Sequence, residues 1–167
     1  MGATLPVEGG WIPPPSGRIK INVDAAVGKN TGRGSVAAVA RDEMGVFVGA
    51  SSLVFPGRTE AETLEALACR EACALARDIS ARRVRVASDC HNVIINLDRE
   101  AMGSYGHIVK EIRDSRKEFE ELIFCHEKRS SNKEAHALAR SAVRDDPGRR
   151  VWLVEPPLGL CNVLPVI

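Results

Sequence analysis

From residue 19 to residue 27 apolar side chains fall on every second position. Ile19, Ile21, Val23, Ala25 and Val27 alternate with Lys20, Asn22, Asp24 and Ala26. A period of two commits a segment to a β-strand with one face against a core. Gly32 and Gly34 break the pattern, and residues 36–41 and 46–55 read as two further strands. Asp42-Glu43-Met44-Gly45 between them predicts a tight hairpin turn. After Thr59 the period changes to that of a helix. Thr59 with Glu62 three residues on has the pattern of a capping box, opening a helix to about Ile79. Val84, Val86 and Ser88 predict a short fourth strand, followed by a helix over 90–97, another over 107–119, a fifth strand over 122–126, and a last helix from Ser131-Asn132 to about Val143. The order β-β-β-α-β-α-α-β-α predicts an α/β fold. Three antiparallel strands are joined by short turns, and two later strands lie parallel to the first, in a five-stranded mixed sheet flanked by helices.

The segments outside this pattern divide the chain into an arm over 1–17, a domain over 18–144 and a tail over 145–167. The arm carries Gly9-Gly10 and Pro13-Pro14-Pro15, which favour an extended conformation, with Trp11 placed to fold back as an anchor. Pro147, Pro156, Pro157 and Pro165 make the tail too broken for a regular element, and Val151, Trp152, Leu153, Leu158 and Leu160 suggest that it lies on the domain. The five cysteines are odd in number and form no C-x-x-C pair, which argues against a disulfide framework and a zinc ribbon. Cys69 and Cys73 sit four apart in an Ala-rich helix, the setting of small buried side chains. Reduced thiols, no membrane-length apolar run and no basic-then-apolar leader predict an intracellular protein. Pro6 stands where myristoylation of Gly2 wants Ser or Thr. Lys and Arg number 23 against 22 Asp and Glu, so any nucleic-acid site must be a local patch.

Three carboxylates stand out, each with an ordinary alternative. Asp24 sits in a strand, where Asp is disfavoured, and is followed by small Ala25-Ala26; otherwise it is a solvent-facing strand residue. Glu65 falls about 40° from the centre of the apolar helical stripe of Ala61, Leu64, Ala68, Ala72, Leu75 and Ile79, where a carboxylate needs a partner or a metal. Its alternative is the edge of that stripe, reaching solvent. Asp89 closes the fourth strand, where functional residues of α/β sheets gather, and equally suits a helix N-cap. Together the three would repel unless cations neutralised them, and oxygen ligands select Mg²⁺ or Mn²⁺. Two such ions roughly 4 Å apart clamp the attacking and leaving oxygens of phosphodiester cleavage.

The stretches Ile19-Lys-Ile-Asn-Val-Asp24-Ala-Ala, Arg41-Asp-Glu-Met-Gly45, Glu65-Ala-Leu-Ala, Ser88-Asp89-Cys90 and Arg129-Ser-Ser-Asn132-Lys-Glu-Ala-His136-Ala-Leu-Ala resemble the ribonuclease H superfamily. The resemblance runs over about 11–144, and Trp11 with its prolines belongs to it. It is closest to the plant branch found as short stand-alone proteins and at the ends of retroelement reverse-transcriptase reading frames. The resemblance implies metal-dependent hydrolysis of the RNA strand of RNA–DNA hybrids. It implies Asp24 bridging two Mg²⁺ (or Mn²⁺) ions, and Glu65 and Asp89 on the leaving-group side. The family's fourth ligand is usually an Asp four residues after an Asn; here His136 follows Asn132, as is common in the plant branch. Histidine brings no negative charge and suits Mg²⁺ less well.

His126 has the spacing of a histidine that some relatives use near product release, and otherwise reads as a polar strand end; His91 and His107 carry no more than a surface role. Asn92, Arg129 and Asn132 are the implied nucleic-acid contacts. The span 98–105 is too short for the basic protrusion of some relatives; Arg113, Arg116 and Lys117 then supply phosphate contacts or form a solvated face. Three functions stay open: an endonuclease on hybrids, a module that binds hybrid or RNA with its chemistry weakened at His136, and a retroelement remnant. No membrane and no obligatory protein partner is implied.

Overall fold

The computed structural model describes residues 10–99 and 103–166. The first nine positions of the arm, with Gly2, Pro6 and Gly9, and positions 100–102 of the 98–105 connection lie outside the described residues. One sheet contains β1 (Ile19–Gly28), β2 (Arg33–Arg41), β3 (Phe47–Pro56), β4 (Arg83–Ser88), β5 (Glu121–His126) and β6 (Gly148–Trp152). Their spatial order is β5-β4-β1-β2-β3-β6. β1, β2 and β3 are antiparallel neighbours, while β4 lies parallel to β1 and β5 parallel to β4. The helices are α1 (Ala61–Asp78), α2 (His91–Leu97), α3 (Gly106–Ser115) and α4 (Lys133–Ala142).

The period of two in β1 sorts its side chains onto two faces. Ile21 and Val23 join Val36, Ala38 and Ala40 of β2 beneath Leu64, Ala68, Ala72 and Leu75 of α1 and Ile108 and Ile112 of α3. Asn22 and Asp24 point the other way, toward α4. On that side Ala37, Val39 and Ala50 pack against Ala135, Leu138 and Ala139. The alanines let α4 sit close, and Ser35 Oγ donates to the Ala139 carbonyl at 2.6 Å. Cys69 and Cys73 are buried on α1, as their spacing predicts. None of the helices among the described residues is long and apolar enough to cross a membrane.

Several expectations are corrected. The sheet has six strands, not five, because the tail contributes β6, antiparallel to β3. The prolines at 147 and 156 bracket this strand without entering it. Arg149 pins it to α1 through Glu71, at 2.6 Å, and through Asp78. The capping box does not form: the N-cap of α1 is Glu60, with no side-chain cap, and Glu62 instead accepts from Asn92 Nδ2 at 3.0 Å. Asn132 does hold the N-cap position of α4, but its side chain makes no cap bond. It is turned inward, donating from Nδ2 to the Val23 carbonyl at 2.8 Å. β2 begins at Arg33, not at residue 36, and so contains Gly34, where the Arg58 carbonyl and Leu64 leave no room for a Cβ.

The hairpin at 42–45 forms. Asp42 Oδ1 accepts the Met44 and Val46 amides, and Gly45 takes φ 80° where the Leu164 carbonyl crowds it. Trp11 folds back as an anchor, its Nε1 donating to Asn22 Oδ1 at 3.2 Å.

Candidate metal and nucleic-acid site

β1 pairs with β4 only from Ile19 to Asn22, so beyond Asn22 that edge of β1 has no neighbouring strand. Asp24 stands at the start of this open stretch, and Ala25 and Ala26 leave room around it. Glu65 reaches the same place from the first turns of α1, and Asp89 from the end of β4. Each offers a carboxylate oxygen, and the three atoms lie within 4.8 Å of one another. This is the crevice beyond the carboxyl ends of parallel strands, where α/β sheets bind their ligands.

The local structure separates the alternatives for each residue. Asp24 is 3% exposed, so it is not a solvent-facing strand residue. Asp89 is not a helix cap: α2 begins after Cys90, and the Cys90 amide is taken by Ser88 Oγ at 3.1 Å, which leaves the Asp89 carboxylate uncommitted to the helix. Glu65 points into the cluster, and its Oε2 is buried with no hydrogen-bond partner. Burial, then the charge and hydrogen bond of Asp24, then the charge of Asp89 push the Glu65 carboxyl up to about 10. Burial and Asp24 likewise raise Asp89, against the opposing pull of Arg129 and His136. An all-oxygen donor set with an orphaned buried carboxylate oxygen fits a hard divalent cation.

His136 is not among the three. It faces them from α4, its Nδ1 2.7 Å from Asp24 Oδ2. His126 is exposed, with Nε2 3.2 Å from the main-chain carbonyl of Asp89 rather than its carboxylate. Its ring meets that of His91 edge-on, centroids 5.1 Å apart. Arg129 is exposed, with Nε 4.0 Å from Asp89 Oδ2. Asn92 is exposed and bonded to Glu62, and Asn132 is 2% exposed.

Three cations escaped sequence reasoning. Lys29, Arg140 and Arg144 line the same cavity of about 650 Å³ as Asp24, Glu65, Asp89, Arg129 and His136. Among the described residues none of the three makes an ion pair. Arg140 and Arg144 follow His136 at intervals of four, and that spacing, which stacks side chains on one helix face, was the available signal. Of the candidate phosphate contacts on α3 and just after it, Lys117 is exposed with no ion pair among the described residues, and the two arginines have partners. Arg113 donates to the Arg99 carbonyl at 2.7 Å, and Arg116 reaches Asp98 and lies over the Phe124 ring.

The family model described as "Reverse transcriptase-like" matches residues 22–142, the span that carries all four of Asp24, Glu65, Asp89 and His136. No curated protein sequence matches the chain. Among solved structures, RNase H1 from the halophilic archaeon Halobacterium salinarum NRC-1 is 25% identical, with a TM-score of 0.64 over 78% of this chain and 100% of its own. LC11-RNase H1, isolated from compost by a metagenomic approach and solved in complex with RNA/DNA hybrid, is 21% identical, with a TM-score of 0.67 over 75% of this chain and 96% of its own. The prototype foamy virus protease–reverse transcriptase is 18% identical, with a TM-score of 0.60 over 77% of this chain and 21% of its own. With the family model covering most of the domain and the RNase H fold recovered around the three carboxylates, the chain belongs to the reverse transcriptase-like family of the ribonuclease H superfamily.

Proposed function

We propose that this chain is a metal-dependent endonuclease that cleaves the RNA strand of RNA–DNA hybrids. The observation that carries the reading is Glu65. A half-buried carboxylate with one oxygen buried and orphaned, held beside two other carboxylates, is at its lowest free energy only with a divalent cation or a proton. Asp24, Glu65 and Asp89 would hold Mg²⁺ or Mn²⁺, two ions being expected, with His136 at the side of Asp24. Bound there, such ions supply Lewis-acid polarisation of a phosphodiester and a water more acidic than bulk water.

The chain's own residues do the rest. The open edge of β1 admits a phosphate to the carboxylates without displacing a strand. Lys29, Arg140 and Arg144 offer unpaired cations to phosphates of the same strand, and Arg129 offers another beside Asp89. Such contacts read the backbone, not the sequence. The complex of LC11-RNase H1 with RNA/DNA hybrid supports a hybrid as the substrate.

One observation favours a second reading, a module that binds hybrid without cutting it. His136 Nδ1 lies 2.7 Å from Asp24 Oδ2, so one oxygen of a carboxylate that would hold metal is already engaged, and the imidazole adds no negative charge. The discriminating experiment is cleavage of a labelled hybrid with Mg²⁺ and then Mn²⁺, in wild type and His136→Asp. The nuclease reading expects cleavage by wild type, better with Mn²⁺, and a gain of about tenfold or more with Mg²⁺ on His136→Asp. Hybrid binding without cleavage by either protein under either metal gives the second reading.

A further inference from the structure

A second cavity, of about 310 Å³, opens on the far side of the 129–132 turn from the carboxylates, between the start of α4, the N-terminal arm and the C-terminal tail. Trp11, Val39, Leu164 and Pro165 give it apolar walls; its polar lining includes Asn22, Asn132 and Glu134, whose carboxylate is held in the ion pair with Arg41. Asn22 precedes Asp24 by two residues on the same face of β1, about 7 Å away along the strand. Asn132 precedes His136 by about one turn of α4, about 6 Å along its axis. The cavity therefore abuts the carboxylate site without sharing its ligands.

The cavity is preorganised by a relay of hydrogen bonds. Trp11 Nε1 donates to Asn22 Oδ1, Asn22 Nδ2 donates to Asn132 Oδ1 at 3.0 Å, and Asn132 Nδ2 donates to the Val23 carbonyl. An amide nitrogen carries two protons, and the second on Asn132 Nδ2 has no acceptor among the described residues. Asn132 is 2% exposed, so this half-used donor is buried at the cavity and is costly until something accepts from it. The Ser130 and Ser131 hydroxyls at the cavity make no hydrogen bond among the described residues, and Lys133 stands at its rim. Apolar and aromatic walls with a few convergent donors, in a volume at the small end of ligand pockets, suit one planar heterocycle with acceptor atoms on its edge and an anionic group toward Lys133.

We propose that this cavity is a subsite for one nucleotide, its base against Trp11, its acceptor edge on Asn132 and its phosphate toward Lys133. The same chemistry has two sources, a free nucleoside monophosphate and an unpaired nucleotide of a strand held at the carboxylates. Only the second rests on the nuclease reading.

The test follows the indole N–H resonances of Trp11 and Trp152 in the full chain. Adenosine 5′-monophosphate should shift Trp11 saturably and leave Trp152 in place, while ribose 5-phosphate should move neither. Measured by titration calorimetry, which does not depend on the indole reporter, Trp11→Ala should weaken the affinity by roughly tenfold, with Trp11→Phe restoring most of it, because stacking carries the binding. Ser131→Leu, which narrows the cavity with the arm intact, should also weaken it, and the Trp152 resonance reports that each variant is folded. In the strand arm, a hybrid with an unpaired RNA extension should bind several-fold tighter than a blunt one, and the gain should vanish in Trp11→Ala. A Trp11 shift without that gain assigns the cavity to free nucleotides. No saturable Trp11 shift and no gain from the extension overturn the proposal. Failure of both hybrids to bind, with the Trp11 shift intact, counts against the nuclease reading alone.

Discussion

Around Arg41 buried charge is answered atom by atom, whereas around Glu65 it is left unanswered. Arg41 is 1% exposed, yet its guanidinium donates to both carboxylate oxygens of Glu134, at 2.8 and 2.7 Å, and to the carbonyls of Gly45 and Cys161. It ties the hairpin, the tail and α4 together and has no donor to spare for a ligand. Glu65 lies in the same molecule with a buried oxygen that has no hydrogen-bond partner and two like charges beside it. Burial of charge is therefore no marker of function by itself. The marker is burial with an unmet valence, because a fold that pays to bury a charge normally completes its shell.

The largest effect that can break this contrast is on activity. Asp24→Asn should reduce cleavage of hybrid by more than the ~100-fold that loss of a supporting group around a metal costs. It should leave the urea midpoint without metal unchanged or raised, because the charge that disfavours ionisation of both Glu65 and Asp89 is gone. An Asp24→Asn protein that unfolds at markedly lower urea would place Asp24 with Arg41, as a structural charge.

Arg41→Met should do the reverse. Breaking a buried ion pair from one side costs about 3–5 kcal/mol, and the lower end applies here because the Glu134 side chain is 20% exposed. Urea unfolding of Arg41→Met should show this loss. Arg41→Met with Glu134→Leu should recover part of it, since no charge is then left without its partner. A loss below about 1 kcal/mol would mean that the pair is worth no more than a surface salt bridge.

The same contrast explains what the sequence made legible. Asp24, Glu65 and Asp89 could be found because each interrupts a local pattern, a strand alternation, a helical stripe and a strand end. Arg41 also ends a strand, but its meaning depends on Glu134, 93 residues on, and on carbonyls of a tail that reads as irregular. β6 was missed for a related reason. Arg149, Arg150, Val151 and Trp152 make too short an alternation to stand out between prolines, and the strand exists because β3 offers it an edge and Glu71 and Asp78 a charge partner. Asn132 was placed correctly at the start of α4 but given the wrong partner. A cap is a local expectation, and the long-range bonds to Asn22 and Val23 won. Lys29 is far in sequence from Arg140 and Arg144, and only the fold sets the three around the carboxylates.

The pH dependence of stability sharpens the contrast further. Glu65 has its folded pKa raised from 4.5 to about 10. Between those values the folded state holds a proton that the unfolded state has released, so stability falls as pH rises. A single group of this kind gives a slope of at most ~1.4 kcal/mol per pH unit. Without metal, urea unfolding should therefore show lower stability at pH 8 than at pH 6. Glu65→Gln should flatten the dependence, and saturating Mg²⁺ should flatten it in wild type, because the cation takes the place of the proton. A pH dependence that Glu65→Gln leaves intact would assign it to another group.

The smallest expected effect separates the cations of α3 from those beside α4. Arg144 lines the carboxylate cavity with no ion pair, whereas Arg113 donates to the Arg99 carbonyl and lines no part of that cavity. A cation that neutralises a phosphate releases a condensed counterion, so its removal weakens binding by a few-fold and lowers the dependence of log affinity on log salt by about one. Arg144→Ala should therefore weaken hybrid binding similarly for unrelated sequences and reduce that slope by about one, with Arg113→Ala changing neither. The salt slope decides the matter better than affinity does, because a local distortion can weaken binding without altering the number of ions released. An unchanged slope in Arg144→Ala, or an equal fall in Arg113→Ala, would move the phosphate track away from the end of α4.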